Sequence, residues 1–261
     1  MRRLAAVVAA TVITGSASAG AAPQTAPAGF LAESRLAALV QSVPPAPADG
    51  SPATLADIAA SERLRALEDT DRWLLATRHA ELRPAVALAH FDCALGFRVE
   101  AAESPRLVAL LTRILHDANE AAELAKARAH RPRPVGADRE RRACQVVGEA
   151  GRASASYPSG SASVGAAYGA TMAALVPERA EALDEIGHQI AVSRMVCGMH
   201  YPADVATGET LGRAVFADIQ TTPAFRAEAE AARVEIAAAR AAARTSPACA
   251  AERAALSIPL P

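Results

Sequence analysis

Apolar residues recur at spacings of three and four along most of the chain. The stretch LADIAASERLRALEDTDRWLLATRHAEL, from Leu55 onward, carries this period, as do 105–130, about 161–176, 178–196 and 203–241. Alternation with period two is nearly absent. The residues that fill these stretches, Ala, Leu, Glu and Arg, lose little freedom in a helix. The pattern predicts an all-α protein, a compact multi-helix bundle in a single domain over 54–245. Its last helical segment, FRAEAEAARVEIAAARAAAR, is polar on most faces and predicts a solvated helix packed on one side. A coiled-coil partner helix is the alternative there.

Outside these stretches the pattern changes. Residues 20–53, with AAPQTAPAG and VPPAPADGSP, have no sustained period and predict a Pro/Ala-rich extended leader, while 246–261 is read as a C-terminal tail. The opening MRRLAAVVAATVITGSASAG has two arginines, an apolar run and the small triplet Ala17-Ser18-Ala19. That order predicts a signal peptide over 1–19 and a periplasmic or secreted protein. The apolar run is too short to span a bilayer, and no mature segment predicts a membrane span.

Composition narrows the classes. With 261 residues, 51% of them apolar, the chain can bury a sizeable core. A net charge of −1 argues against a nucleic-acid partner. Cys93, Cys144, Cys197 and Cys249 are an even set, as suits two disulfides in an oxidising compartment. The pairing expected is Cys93 with Cys144 and Cys197 with Cys249. No Cys-x-x-Cys or His-x3-His spacing is present, so no metal is expected.

Three segments hold residues suited to an oxyanion. KARAHRPRP places Lys126 near a helix end and Arg133 before the helix-breaking Pro134; the surrounding basic run also reads as a solvated face. SYPSGSASVG puts Ser159 and Gly160 where a turn meets a helix, so that backbone N–H groups point at one spot, and Ser161 reads as a helix cap. In SRMVCGMHYPADVATGE, Asp204 follows His200 by four, which predicts both on one helical face with Pro202 in the first turn. Such an aspartate fixes the imidazole tautomer and leaves the other nitrogen as a nucleophile. Arg194 would diverge on an unbroken helix, and Gly198 offers the break that brings it back.

Taken together, Lys-x6-Arg-Pro, Pro-Ser-Gly and Ser-Arg-x5-His-x3-Asp resemble the signatures of the type 2 phosphatidic acid phosphatase superfamily, which includes vanadium haloperoxidases. SYPSG, SRMVCGMHYPADV, QTTPAF and VPPAPADGSPATLAD are similar to the secreted class A bacterial nonspecific acid phosphatases, over about residues 40–225. The resemblance implies metal-free, cofactor-free hydrolysis of small phosphomonoesters through a phosphohistidine, with phosphate or vanadate able to occupy the site, and a homodimer. It implies His200 as nucleophile, Asp204 orienting it, and Lys126, Arg133, Arg194, Ser159 and Gly160 holding the phosphate.

One position departs from the resemblance. Ser161 stands where the family has the histidine that protonates the leaving alkoxide. A serine hydroxyl cannot do this near neutral or mildly acidic pH, and such help is typically worth about 10²–10⁴-fold. Aryl phosphates should therefore suffer less than alkyl phosphates. His130 and His188 are candidate substitutes; His79, His90 and His116 read as ordinary structural histidines. The alternatives are a non-catalytic phosphate-binding descendant and a vanadate-dependent haloperoxidase.

Overall fold

The computed structural model describes residues 28–128 and 130–261. The signal-peptide reading of 1–19 therefore lies outside the described residues. The helices are α1 (Glu33–Gln41), α2 (Pro52–Arg63), α3 (Asp71–His79), α4 (Pro84–Ala87), α5 (Asp92–Leu95), α6 (Pro105–Lys126), α7 (Pro134–Ala137), α8 (Glu149–Ala153), α9 (Gly160–Leu175), α10 (Ala180–Val196), α11 (Pro202–Ile219), α12 (Pro223–Ala242) and α13 (Cys249–Leu256). Among the described residues there is no strand, and no helix is long and apolar enough to cross a membrane. The fold is all-α.

Proline sets many of the boundaries. Helices α2, α4, α6, α7, α11 and α12 all begin on one, where its missing N–H has no intrahelical partner to lose. This is why the predicted 203–241 segment is two helices. Pro223 cannot continue α11, and the Thr222 hydroxyl accepts from the Phe225 N–H to start α12. The long N-terminal period also divides, at Asp69, whose φ of 63° ends one run before α3 begins.

The leader is not extended throughout. Leu36 and Val40, four apart, are buried and form the inner face of α1, which packs on α6 and α11. The tail likewise holds a helix, α13, packed on α3 with Ala255 buried. The disulfides are Cys93–Cys249 and Cys144–Cys197, correcting the expected pairing. Packing α13 on α3 carries Cys249 to α5 and away from α10, so Cys197 is left to the loop that holds Cys144.

At the centre lies α9, buried along nearly all its length and packed against α10, α11 and α6. Small residues allow this closeness. A Cβ on Gly187 of α10 would stand 2.6 Å from the Gly165 carbonyl oxygen, and one on Gly212 of α11 only 2.0 Å from that of Ser163. The α11 helix is thereby held against the first turn of α9. The main core gathers side chains from α1, α6, α9, α10, α11 and α12. A smaller cluster around Trp73, Cys144, Cys197 and Met199 lies beneath the loop before α8.

Candidate active site

Three helix ends converge on one cavity of about 310 Å³. The last residue of α6 supplies Lys126; the residue before α7 supplies Arg133; the last turn of α10 supplies Arg194. Gly160 and Ser161 enter from the first turn of α9, and His200 from the link between α10 and α11. That link reverses at Gly198, whose φ of 72° is the left-handed conformation that glycine adopts without strain. The break expected at Gly198 is thus present, and Arg194 and His200 line one wall.

His200 does not share a helical face with Asp204. It precedes α11 by two residues, because Pro202 fixes the helix start. Its Nδ1 lies 2.9 Å from the Ser156 carbonyl oxygen and 3.8 Å from Asp204 Oδ2. A carbonyl only accepts, so Nδ1 carries the proton. On the other side Nε2 lies 2.9 Å from Arg133 Nη1, a group that only donates, so Nε2 presents its lone pair. Both contacts select one neutral tautomer. Burial pushes the imidazole down to about 3; the Asp204 contact opposes this, and the charges of Arg133 and Arg194 add to it. His200 is therefore an uncharged base across ordinary pH.

Asp204 acts from behind. Its Oδ2 accepts from the Ser156 hydroxyl at 2.5 Å and from the Tyr201 N–H at 2.8 Å, and its Oδ1 from Arg131 Nη1 at 2.6 Å. Burial resists ionisation of this carboxylate, but the His200, Ser156 and Arg131 contacts outweigh it and hold its pKa below the usual value. Arg131 then donates to Asp57 Oδ2 at 2.8 Å, and Asp57 Oδ1 accepts from the Ala203 N–H at 3.1 Å. A buried Asp57–Arg131–Asp204 chain thus joins α2 to the start of α11.

The three cavity cations sit under electrostatic stress. Burial depresses the pKa of Lys126 and Arg133, and takes Arg194 down to about 10. Lys126 pairs with Glu123 at the rim. Arg133 Nε donates to Ser154, and Arg194 Nη2 to Gln145 at 2.9 Å. The buried Arg194 Nε has no hydrogen-bond partner. A cluster of cations with a spare donor is built to receive an anion.

Ser159 is placed differently from the expectation. It is fully buried, and its Oγ accepts from the Ala162 N–H, so Ser159 and not Ser161 is the cap of α9. Ser161 faces the cavity. His130 and His188 do not line the cavity; His188 pairs with Glu209 at 2.7 Å, which raises its pKa. His79 and His90 are buried against each other, and His116 stands beside Asp117.

Sequence reasoning missed Ser156, Arg131, Asp57, Gln145 and Ser154, and also Asn119, which lines the cavity. Arg131 was part of the basic run read as solvated; in fact Arg131, Arg133 and Arg141 are buried while Arg139 and Arg142 remain at the surface. For Arg131 and Arg133, their spacing of two along the non-helical stretch before Pro134 was the available signal. Among the described residues, no group of three or more His, Cys, Asp or Glu side chains is arranged to hold a metal ion.

The profile of the PAP2 superfamily matches residues 107–223. An acid phosphatase of Zymomonas mobilis subsp. mobilis is 32% identical over 202 residues, 77% of this chain and 76% of that protein. A non-specific acid phosphatase of Providencia stuartii is 28% identical over 197 residues, covering 75% of this chain and 79% of its own. One of Salmonella typhimurium is 28% identical over 185 residues, 70% and 74% respectively.

Proposed function

The chain belongs to the PAP2 superfamily, and from that membership and the cavity's chemistry we propose that it is an acid phosphatase, hydrolysing small phosphomonoesters without metal or cofactor through a phosphohistidine. The observation that carries this reading is the fixed neutral tautomer of His200, with its Nε2 lone pair at Arg133 in a cavity that Lys126 and Arg194 also line. In the proposed first step the phosphate oxygens take the hydrogen bonds of Arg133, Arg194 and Lys126, with the Gly160 N–H beside them. Arg133 leaves Nε2, whose lone pair forms the N–P bond as the P–O ester bond breaks. Nδ1 keeps its proton, donated to the Ser156 carbonyl oxygen, and Asp204 offsets the positive charge gained by the ring. Phosphoryl transfer depends mainly on such positioning and charge neutralisation.

Ser161 limits the substrate range. With no imidazole at that position the leaving oxygen departs as an anion, which favours aryl over alkyl esters. The same position supports a second reading, a phosphate-binding descendant that has lost turnover. Hydrolysis of p-nitrophenyl phosphate with a chelator present separates them: the enzyme turns over and His200→Ala does not. Activity surviving in His200→Ala would overturn the phosphohistidine. The predicted signal peptide and two disulfides support a periplasmic or secreted location; the domain limits and a homodimer are further expectations, tested by N-terminal sequencing of the exported protein and by its solution mass.

A further inference from the structure

Val146 is fully exposed, more so than the other large apolar side chains on the surface of the described residues, yet it lines the His200 cavity. It is not on a free loop. Cys144 before it is bonded to Cys197, Gln145 accepts from Arg194, and Val147 after it packs on the cluster around Trp73. The backbone on both sides is fastened, so Val146 is held at the cavity mouth with its apolar surface in water.

Two facts fix what would cover it. In-line displacement puts the leaving group opposite the attacking nitrogen. His200 is buried on the cavity floor, so the leaving group points outward to the mouth. Ser161 supplies no proton, so good leaving groups are those stable as anions; of these, a phenolate is the kind whose ring an apolar side chain at the mouth can cover. We propose that Val146 is a specificity-determining residue, an apolar platform for the aromatic leaving group of aryl phosphates. This rests on the phosphatase reading. The ester electrons depart with the phenolic oxygen, which takes its proton from water, while Val146 gains cover from the ring.

The test uses non-hydrolysable ligands and the full chain. Calorimetry compares phenylphosphonate with methylphosphonate on the native protein, Val146→Ser and Val146→Leu. The expected result is a phenyl preference of roughly three- to tenfold, the scale of covering part of a valine. Val146→Ser should bring the preference close to one with methylphosphonate binding unchanged, and Val146→Leu should keep it. KM for p-nitrophenyl phosphate should rise by the same factor in Val146→Ser, with kcat unchanged. Equal affinity for the two phosphonates in the native protein, or a preference that survives Val146→Ser, overturns the platform and leaves the phosphatase reading standing. Failure of both phosphonates to bind would overturn the phosphate cradle, and the platform with it. Val146 is fully exposed, so its substitution leaves the fold intact.

Discussion

Replacing Arg131 by Met tests the buried chain that supports His200. The side chains of Asp57, Arg131 and Asp204 are 8%, 7% and 0% exposed, and Arg131 bridges the two carboxylates at 2.8 and 2.6 Å. Removing the guanidinium leaves Asp204 Oδ1 without its partner in a site closed to water. Breaking one buried pair this way costs about 3–5 kcal/mol. The Asp57 end adds less, because it keeps the Ala203 N–H. We expect a loss of about 4 kcal/mol, or a melting temperature lower by roughly 8–16 °C for a chain of this size. Urea unfolding followed by the fluorescence of the single, buried Trp73 reads this directly. Arg142→Met is the control; its partner Asp69 is at the surface, and stability should hardly change. Below the transition kcat should fall while KM stays close to native, since Arg131 lies outside the cavity lining, with partial rescue by Arg131→Lys. A loss under about 1 kcal/mol would refute the reasoning, because a buried pair would then behave like an exposed one.

Ser161→His should accelerate alkyl phosphate hydrolysis by about 10²–10⁴-fold and aryl phosphates much less; equal effects on both would show that leaving-group protonation is not what the native site lacks. His90 is held down to about 4, first by burial. Its folded pKa lies below the unfolded 6.5, so the unfolded chain binds the extra proton between these values and stability falls as pH drops from 6.5 to 4, by about 3 kcal/mol. His90→Gln should remove that share of the slope in urea titrations at pH 7 and 4.5, leaving the share of His200, whose pKa is also depressed, and an unchanged slope would refute it. Removing Cys144–Cys197, which closes a separation of 53 residues, should cost about 4 kcal/mol. It should also lower kcat, since Gln145 and Arg194 lie beside it. Removing Cys93–Cys249 should lower stability but not kcat, as assays below each variant's transition would show.

Much of the site was legible because its residues are local in sequence. Lys-x6-Arg-Pro spans the end of α6 and the start of α7, and Arg194, Gly198 and His200 span one helix break. Glycine and proline there restrict the backbone whatever surrounds it. The helical period gave the all-α class for the same reason, as the apolar stripe is written within each segment. The spacing of His200 and Asp204 misled because it presumed a continuous helix, which Pro202 does not allow.

Tertiary structure decided what depends on distant partners. Packing of α13 on α3 chose the disulfide pairs, since pairing depends on where chain segments meet and the cysteine order does not encode it. The burial of Arg131 within the basic run was likewise settled by the carboxylates that reached it, Asp57 from α2 and Asp204 from α11. The tautomer of His200 follows from a Ser156 carbonyl 44 residues away in sequence. The sequence by itself determined the all-α class, the candidate cradle residues and a serine at position 161; which polar group meets which was determined by the fold, because a hydrogen bond depends on distance in space and the chain records only order.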